Sequence, residues 1–136
     1  MQSETAKSRR RLLDRVQALI AAEYRHELTL GQAGRALASS PRQIQRAYEQ
    51  TGETTFREDL RTRRLHVGAE LLAGQAALRV EDVARLSGYS HVAHFTRAFR
   101  ERYGRSPGAF REMARAAAAV DPATLSARTA RRGWPC

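Results

Sequence analysis

"LSGYSHVAHFTRAFRERYGRSPGAF", Leu86 to Phe110, admits three readings. His91 and His94 stand three apart, a spacing that can begin a metal site. Tyr89, Phe95, Phe99 and Tyr103 form a regular beat of aromatics with arginines between them, as on a platform for stacking bases. The same spacing also describes one helix with a core face and a working face. On a helix, Phe95, Ala98 and Phe99 share one side, with Arg102 and Tyr103 roughly in line. Ala93, His94 and Arg97 share another, with Ser90 above them. The aromatics therefore read as core, and His94 and Arg97 face outward. Zinc needs three or four protein ligands. His26, His66 and Cys136 are scattered along the chain, so no metal site is expected.

The same pattern occurs earlier. "IQRAY", Ile44 to Tyr48, matches "FTRAF", Phe95 to Phe99. Each follows a short helix and a tight turn, carries a central Arg and closes at a glycine. Ala33 to Arg46 is 13 residues and Val83 to Arg97 is 14, so the second turn is expected to be one residue longer. Two short helices joined by a tight turn form the helix-turn-helix motif. In the first copy Ile44, Ala47 and Tyr48 go inward. Arg42, Gln45 and Arg46 go outward, with Gln43 at the edge. Arg and Gln are the side chains that make paired hydrogen bonds to guanine and adenine edges. A merely solvated polar face is the competing account, but it must explain why that face falls on the second helix of both copies.

Around these units the chain reads as a string of helices, with no sustained strand alternation. From about Arg9 to Tyr24, Leu12, Leu13, Val16, Leu19 and Ile20 make one apolar stripe. Thr29 caps a short helix whose inner face is Leu30, Ala33, Gly34 and Leu37. Ser40 caps the next, with Pro41 at the first helical position and Gly52 at its end. Thr54 or Thr55 opens a longer helix that ends near Gly74. Val80 and Val83 face inward on another short helix, broken by Gly88. Ser90 is expected to cap the helix that ends near Gly104. Ser106 and Pro107 start the last, which runs to about Ala119. "VDPATLSARTARRGWPC" has no periodicity and reads as a mobile basic tail.

The chain has 136 residues, 42% hydrophobic, enough for one domain or two very small ones. Lys and Arg number 24 against 14 Asp and Glu, a formal charge of +10 that favours a polyanionic partner. Lys7 is the only lysine. A coding bias toward Arg and Ala is the competing account of the Arg excess, but it leaves the net charge unexplained. The single cysteine, Cys136, permits no disulfide within one chain and points to a reducing compartment. No run reaches the roughly 20 apolar residues of a membrane span. "MQSETAKSRRR" lacks the apolar stretch of a signal peptide. A cytoplasmic protein with no membrane association is expected.

"VEDVARLSGYSHVAHFTRAFRERYGRSPGAFR" resembles the second helix-turn-helix and signature of the AraC/XylS-type transcription regulators. The matching residues are Ala84, Gly88, Tyr89, Ser90, Phe95, Arg97, Phe99, Gly104, Ser106 and Pro107. "LTLGQAGRALASSPRQIQRAYEQTG" is similar to the first unit, so the likeness covers about residues 9 to 113. It implies an all-α fold of about seven helices, in which two helix-turn-helix subdomains are joined by a long linker helix. A flexible N-terminal tail, 1–8, precedes the domain at 9–119. The first unit is about 9–53, the linker about 55–74 and the second unit about 78–119, and 120–136 form a flexible tail. Family members place the two second helices in adjacent major grooves of one DNA face. Carried onto this chain, the DNA-binding candidates are Arg42, Gln43, Gln45 and Arg46, then His91, Ala93, His94 and Arg97. A linker of about 20 residues spans roughly 30 Å, close to the ~34 Å between successive major grooves. Gly34 and Gly68 depart from the family's usual Ala, each at about 1 kcal/mol in helix propensity. Val92 and Ala93 leave the second reading helix poor in hydrogen-bond donors.

The resemblance implies a sequence-specific, double-stranded DNA-binding transcription regulator that binds as a monomer, with RNA polymerase as a further candidate partner. The alternatives are the DNA-targeting portion of a multi-domain protein, such as an alkylation-repair protein, and a non-specific architectural binder. No separate effector domain fits within this length, so the expectation is a stand-alone regulator or a fragment. Cys136 alone does not resemble the cysteine cluster of a methyl-accepting repair domain. No cofactor is expected. Nor is an enzyme: no Ser/His/acid set, paired carboxylates or phosphate-cradling glycine loop is present.

Overall fold

The computed structural model describes the backbone of residues 2–120 and the side chains of residues 5–119. Those residues form seven helices and no strand: α1 (Gln2–Glu23), α2 (Leu30–Ala36), α3 (Pro41–Thr51), α4 (Phe56–Gly74), α5 (Val80–Leu86), α6 (Val92–Tyr103) and α7 (Pro107–Val120). The all-α expectation with two units and a shared long helix holds.

The N-terminal boundary differs. Residues 2–8, expected as a flexible tail, are helical and belong to α1. Ala6 and Lys7 in this stretch, and Arg9, Arg10 and Arg11 just after it, favour helix. Gln50 on α3 also donates from Nε2 to the Ala6 carbonyl at 3.1 Å, tying this turn to its neighbour. The segment 121–136, with Cys136, lies outside the described residues.

Two cores build the molecule. In the first, Leu13, Val16 and Ile20 of α1 meet Ala33 of α2 and Ile44, Ala47 and Tyr48 of α3. Phe56 and Leu60, from the first half of α4, close it. In the second, Leu65 and Leu72 from the rest of α4 meet Val83 and Ala84 of α5 and Phe95, Ala98 and Phe99 of α6. Phe110 of α7 packs on that core, with Tyr89 and Tyr103 beside it. One continuous helix thus serves as a wall of both units, and its length sets how far apart they stand.

Local chemistry explains most helix starts. Thr29 accepts from the Gln32 amide at 3.1 Å, and Gln32 answers with its side-chain carbonyl on the Thr29 amide at 2.8 Å. Thr55, not Thr54, caps α4 by accepting from the Glu58 amide. Ser106 caps α7 by accepting from the Ala109 amide, with Pro107 next to it. These bonds satisfy amides that a helix start otherwise leaves without partners. Gly52 and Gly104 end α3 and α6 in the left-handed conformation, with φ of 68° and 75°.

Candidate nucleic-acid interface

On α3, the amphipathic split is clean. Ile44 and Ala47 are buried, with Tyr48 beside them, while Arg42, Gln45 and Arg46 are exposed. The Tyr48 hydroxyl donates to Asp59 Oδ2 at 2.8 Å, and Gln17 Nε2 donates to the same oxygen at 3.2 Å. Burial, with Asp59 beside it, pushes the Tyr48 pKa far above the ordinary phenol value, so the hydroxyl stays a donor. This triad pins α3 against α1 and α4. The helix start is equally constrained. Ser40 accepts from the Gln43 amide at 3.1 Å, and the Gln43 side-chain carbonyl accepts from the Ser40 amide at 3.0 Å. Ser39 adds a hydroxyl donor to that carbonyl at 2.8 Å. Gln43, at the edge of this face, is thus also the capping partner of Ser40. Among the described residues, no ion pair or side-chain hydrogen bond engages Arg42, Gln45 or Arg46.

On α6, Phe95, Ala98 and Phe99 are buried and Ala93, His94 and Arg97 are exposed. The aromatic beat is a packed ladder. Phe95 and Phe99 centroids lie 5.6 Å apart, Phe99 and Tyr103 4.5 Å, and Phe110 meets Phe99 edge-on at 5.3 Å. Tyr89 leans edge-on against Phe95 at 5.5 Å. These faces are used up in the core, which leaves no platform for bases. Ser90 is not the cap. The helix begins at Val92 with His91 in the N-cap position and no side-chain capping bond. Residues 87–91 form the turn, one more than the 37–40 of the first unit, and that extra residue shifts the start past Ser90. The His91 and His94 rings stand 5.2 Å apart, edge to face, and both are exposed. Among the described residues, no group of three metal-ligating side chains gathers around them.

Arg100 was outside the expected set. It lies one turn beyond Arg97, is exposed, and has no side-chain partner among the described residues. The signal was its place three residues along the same face. Glu101 sits beside it but is held by an ion pair with Arg61 of α4. The structure therefore brings Ala93, His94, Arg97 and Arg100 together on one helical face, with Arg42, Gln45 and Arg46 on the corresponding face of the other unit.

Residues 33–113 match the profile of a helix-turn-helix domain family. The chain belongs to the AraC/XylS-type helix-turn-helix family. It is 34% identical over 101 residues to the transcriptional activator NphR of a Rhodococcus species, covering 74% of this chain and 30% of that one. The transcriptional activator RhrA of Rhizobium meliloti is 34% identical over 79 residues, 57% of this chain and 25% of its own length. This AraC/XylS-type chain thus spans under a third of those relatives. Among solved structures, a DNA-binding transcriptional dual regulator of Escherichia coli K-12 superposes with a TM-score of 0.70 at 26% identity, covering 76% of this chain and 91% of that one. The C-terminal domain of AraT, a response regulator of Geobacillus stearothermophilus, gives 0.71 at 27% identity, covering 75% and 84%. No helix among the described residues is long and apolar enough to cross a membrane.

Proposed function

We propose that this AraC/XylS-type protein is a sequence-specific transcription regulator that binds double-stranded DNA as a monomer, with α3 and α6 in successive major grooves. The observation that carries the reading is the pairing of two buried-backed helices with exposed arginine faces on one shared 19-residue helix. At 1.5 Å per residue that helix is about 28 Å long, near the ~34 Å groove repeat. The direct readers are Arg42, Gln45 and Arg46 on α3, with Ala93, His94 and Arg97 on α6. His91 and Gln43 border the two faces. The names of the relatives support regulation of transcription, and on this reading RNA polymerase is a candidate protein partner and the cytoplasm the expected place of action.

Selection of bound duplexes from a random pool, followed by footprinting and sedimentation of the complex, tests this reading. The expected result is one protein chain on a bipartite site with elements one helical turn apart. Binding with steep salt dependence and no sequence preference would instead mark an architectural binder. Two chains per minimal site would refute the monomer.

A further inference from the structure

Three pieces of the molecule meet at one point near the middle of α4. Arg64 projects there, donating from Nε to the Tyr24 carbonyl and from a terminal nitrogen to the His26 carbonyl, both at 2.9 Å. Tyr24 and His26 follow the end of α1 and belong to the first unit. The third piece is Gly88, in the turn that leads into α6. Its φ is +97°, and a Cβ there would lie 2.4 Å from the Tyr24 carbonyl oxygen and 2.9 Å from Arg64 Nε. The backbone of the second unit's turn therefore rests directly on the first unit's carbonyl and on the guanidinium that holds it. Burial lowers the Arg64 pKa, but a guanidinium remains charged in proteins. Its two bonds to carbonyls answer that loss of hydration. One turn earlier, Arg61 pairs with Glu101 of α6, so consecutive turns of α4 tie down both units.

We propose that Arg64 is a positioning residue that sets the spacing this protein demands between its two DNA half-sites. The inference rests on the two-groove reading above. Without the Arg64 bonds, the units at this level are joined by α4, a long helix of the kind that curves rather than stays straight, and by the packing of Gly88 on the Tyr24 carbonyl. With them, α1's end, α4 and the α5–α6 turn form one block, and the two reading faces keep one separation and one relative twist. One inserted base pair moves the second groove by ~3.4 Å and turns it by about 35°. A rigid pair of units cannot follow that displacement, whereas a hinged pair can.

The test pairs two measurements on the full chain. In the first, affinity is measured on the selected site and on versions with one base pair inserted or removed between its halves. Wild type should discriminate sharply. Arg64→Met keeps the aliphatic stem and removes the donors, and should shrink the spacing penalty by about tenfold, the worth of one charge-assisted bond. Arg64→Lys, which keeps the charge but cannot reach both carbonyls, should fall between and serves if the Met variant does not fold. In the second, spin labels on Glu49→Cys and Arg100→Cys, in a Cys136→Ser background without DNA, report the distance between reading helices. The distribution should be narrow with Arg64 and broad with Arg64→Met. An equal loss of affinity at every spacing, or an unchanged distance distribution, would overturn the proposal. If wild type shows no sequence-specific site, the two-groove reading fails, and the distance measurement still judges the clamp.

Discussion

The two helix-turn-helix units share a topology and differ in almost everything that holds it. The first is built on aliphatic packing and neutral capping, with a Tyr48–Asp59–Gln17 triad fastening its reading helix. The second is built on an aromatic ladder, and its reading helix begins without a side-chain cap. Their turns differ too. The first reaches the left-handed region at Ala38, with φ of 52°, and the second at Gly88, with 97°. Ala38 is exposed, whereas a Cβ at Gly88 would strike the Tyr24 carbonyl. The same fold is thus reached by two sets of local interactions, and each set should fail differently.

The largest expected difference is in the cores. Phe99 is fully buried and touches Phe95, Tyr103 and Phe110. Phe99→Ala should cost about 3–5 kcal/mol and collapse the ladder. Ile44→Val in the first core removes one methylene and should cost about 0.5–1.5 kcal/mol. Urea unfolding followed by hydrogen exchange would check both. Loss of protection confined to α5–α7 in the Phe99 variant would show that the units unfold separately. Equal loss in α1–α3 would show that shared α4 makes them one cooperative block.

Next comes the division of labour on DNA. The first reading face offers Arg42, Gln45 and Arg46, and the second Ala93, His94 and Arg97. Alanine can only make apolar contact, such as with a thymine methyl. Losing a paired contact to a base should cost about 1–3 kcal/mol and relax the preference at one position. Arg46→Ala should therefore flatten more of the preferred sequence than Arg97→Ala, measured base by base at one salt concentration. The reverse ranking would refute the division while leaving DNA binding intact.

Gly68 supplies a third comparison, with the family's usual Ala. Helix propensity alone says that Gly68→Ala should stabilise α4 by about 1 kcal/mol. A Cβ there would lie 2.7 and 2.9 Å from the buried Phe95 ring and 3.2 Å from Ser87 Oγ. Neither neighbour is free to move: Phe95 is fully buried, and Ser87 is buried and bonded to the Val83 carbonyl at 2.7 Å. Overpacking of this kind costs typically 1–3 kcal/mol, so Gly68→Ala should lower the melting temperature. A higher melting temperature would show that the ladder has slack.

That glycine marks where the sequence stopped being legible. Helix order, the caps at Thr29, Ser40 and Ser106, and the closing glycines 52 and 104 are local features, set within four or five residues. Helical periodicity separated buried from exposed side chains on α3 and α6. The tertiary contacts gave no such local sign. Ser90 has the residue type of a cap, but the longer turn moved the helix start to Val92. Gln43 has the residue type of a base reader, and its bond to the Ser40 amide was not foreseen. In the sequence Arg64 looks like any other arginine until Tyr24, His26 and Gly88 are brought around it. The outward faces of α3 and α6 were readable, and the tertiary contacts around them were not.

The caps themselves give a smaller test. Ser40→Ala removes the acceptor of the Gln43 amide and should cost about 1 kcal/mol. Ser90→Ala should cost almost nothing, because Ser90 makes no capping bond. Thermal melts of the two variants, run beside wild type, check the pair. A comparable loss at Ser90 would mean that the second reading helix begins earlier in solution.

The smallest effect concerns acid. The short helices α2 and α5 are the first helices of the two helix-turn-helix motifs, but their starts are capped by different chemistry. In α2 the closing group is the neutral side chain of Gln32. In α5 it is the carboxylate of Asp82, which accepts from the Arg79 amide at 3.1 Å and from Arg85 at 2.6 Å. The Arg79 amide bond is the main cause holding the Asp82 pKa below its ordinary value; partial burial works against it, and the bond and charge of Arg85 and the charge of Arg79 add to the lowering. Because the folded value lies below the unfolded one, this carboxylate contributes fully at neutral pH. Its contribution fades as pH falls from the unfolded value through the folded one. The start of α5 should therefore loosen in acid while the start of α2 does not. Hydrogen exchange at the Val83 and Ala33 amides, compared between pH 5 and pH 3 after correction for intrinsic rates, reads the two sites side by side. Asp82→Asn keeps an acceptor but no titratable charge, and should remove the difference in pH response. If Val83 and Ala33 respond alike in wild type, the charge on Asp82 does nothing that the neutral Gln32 cap does not do as well.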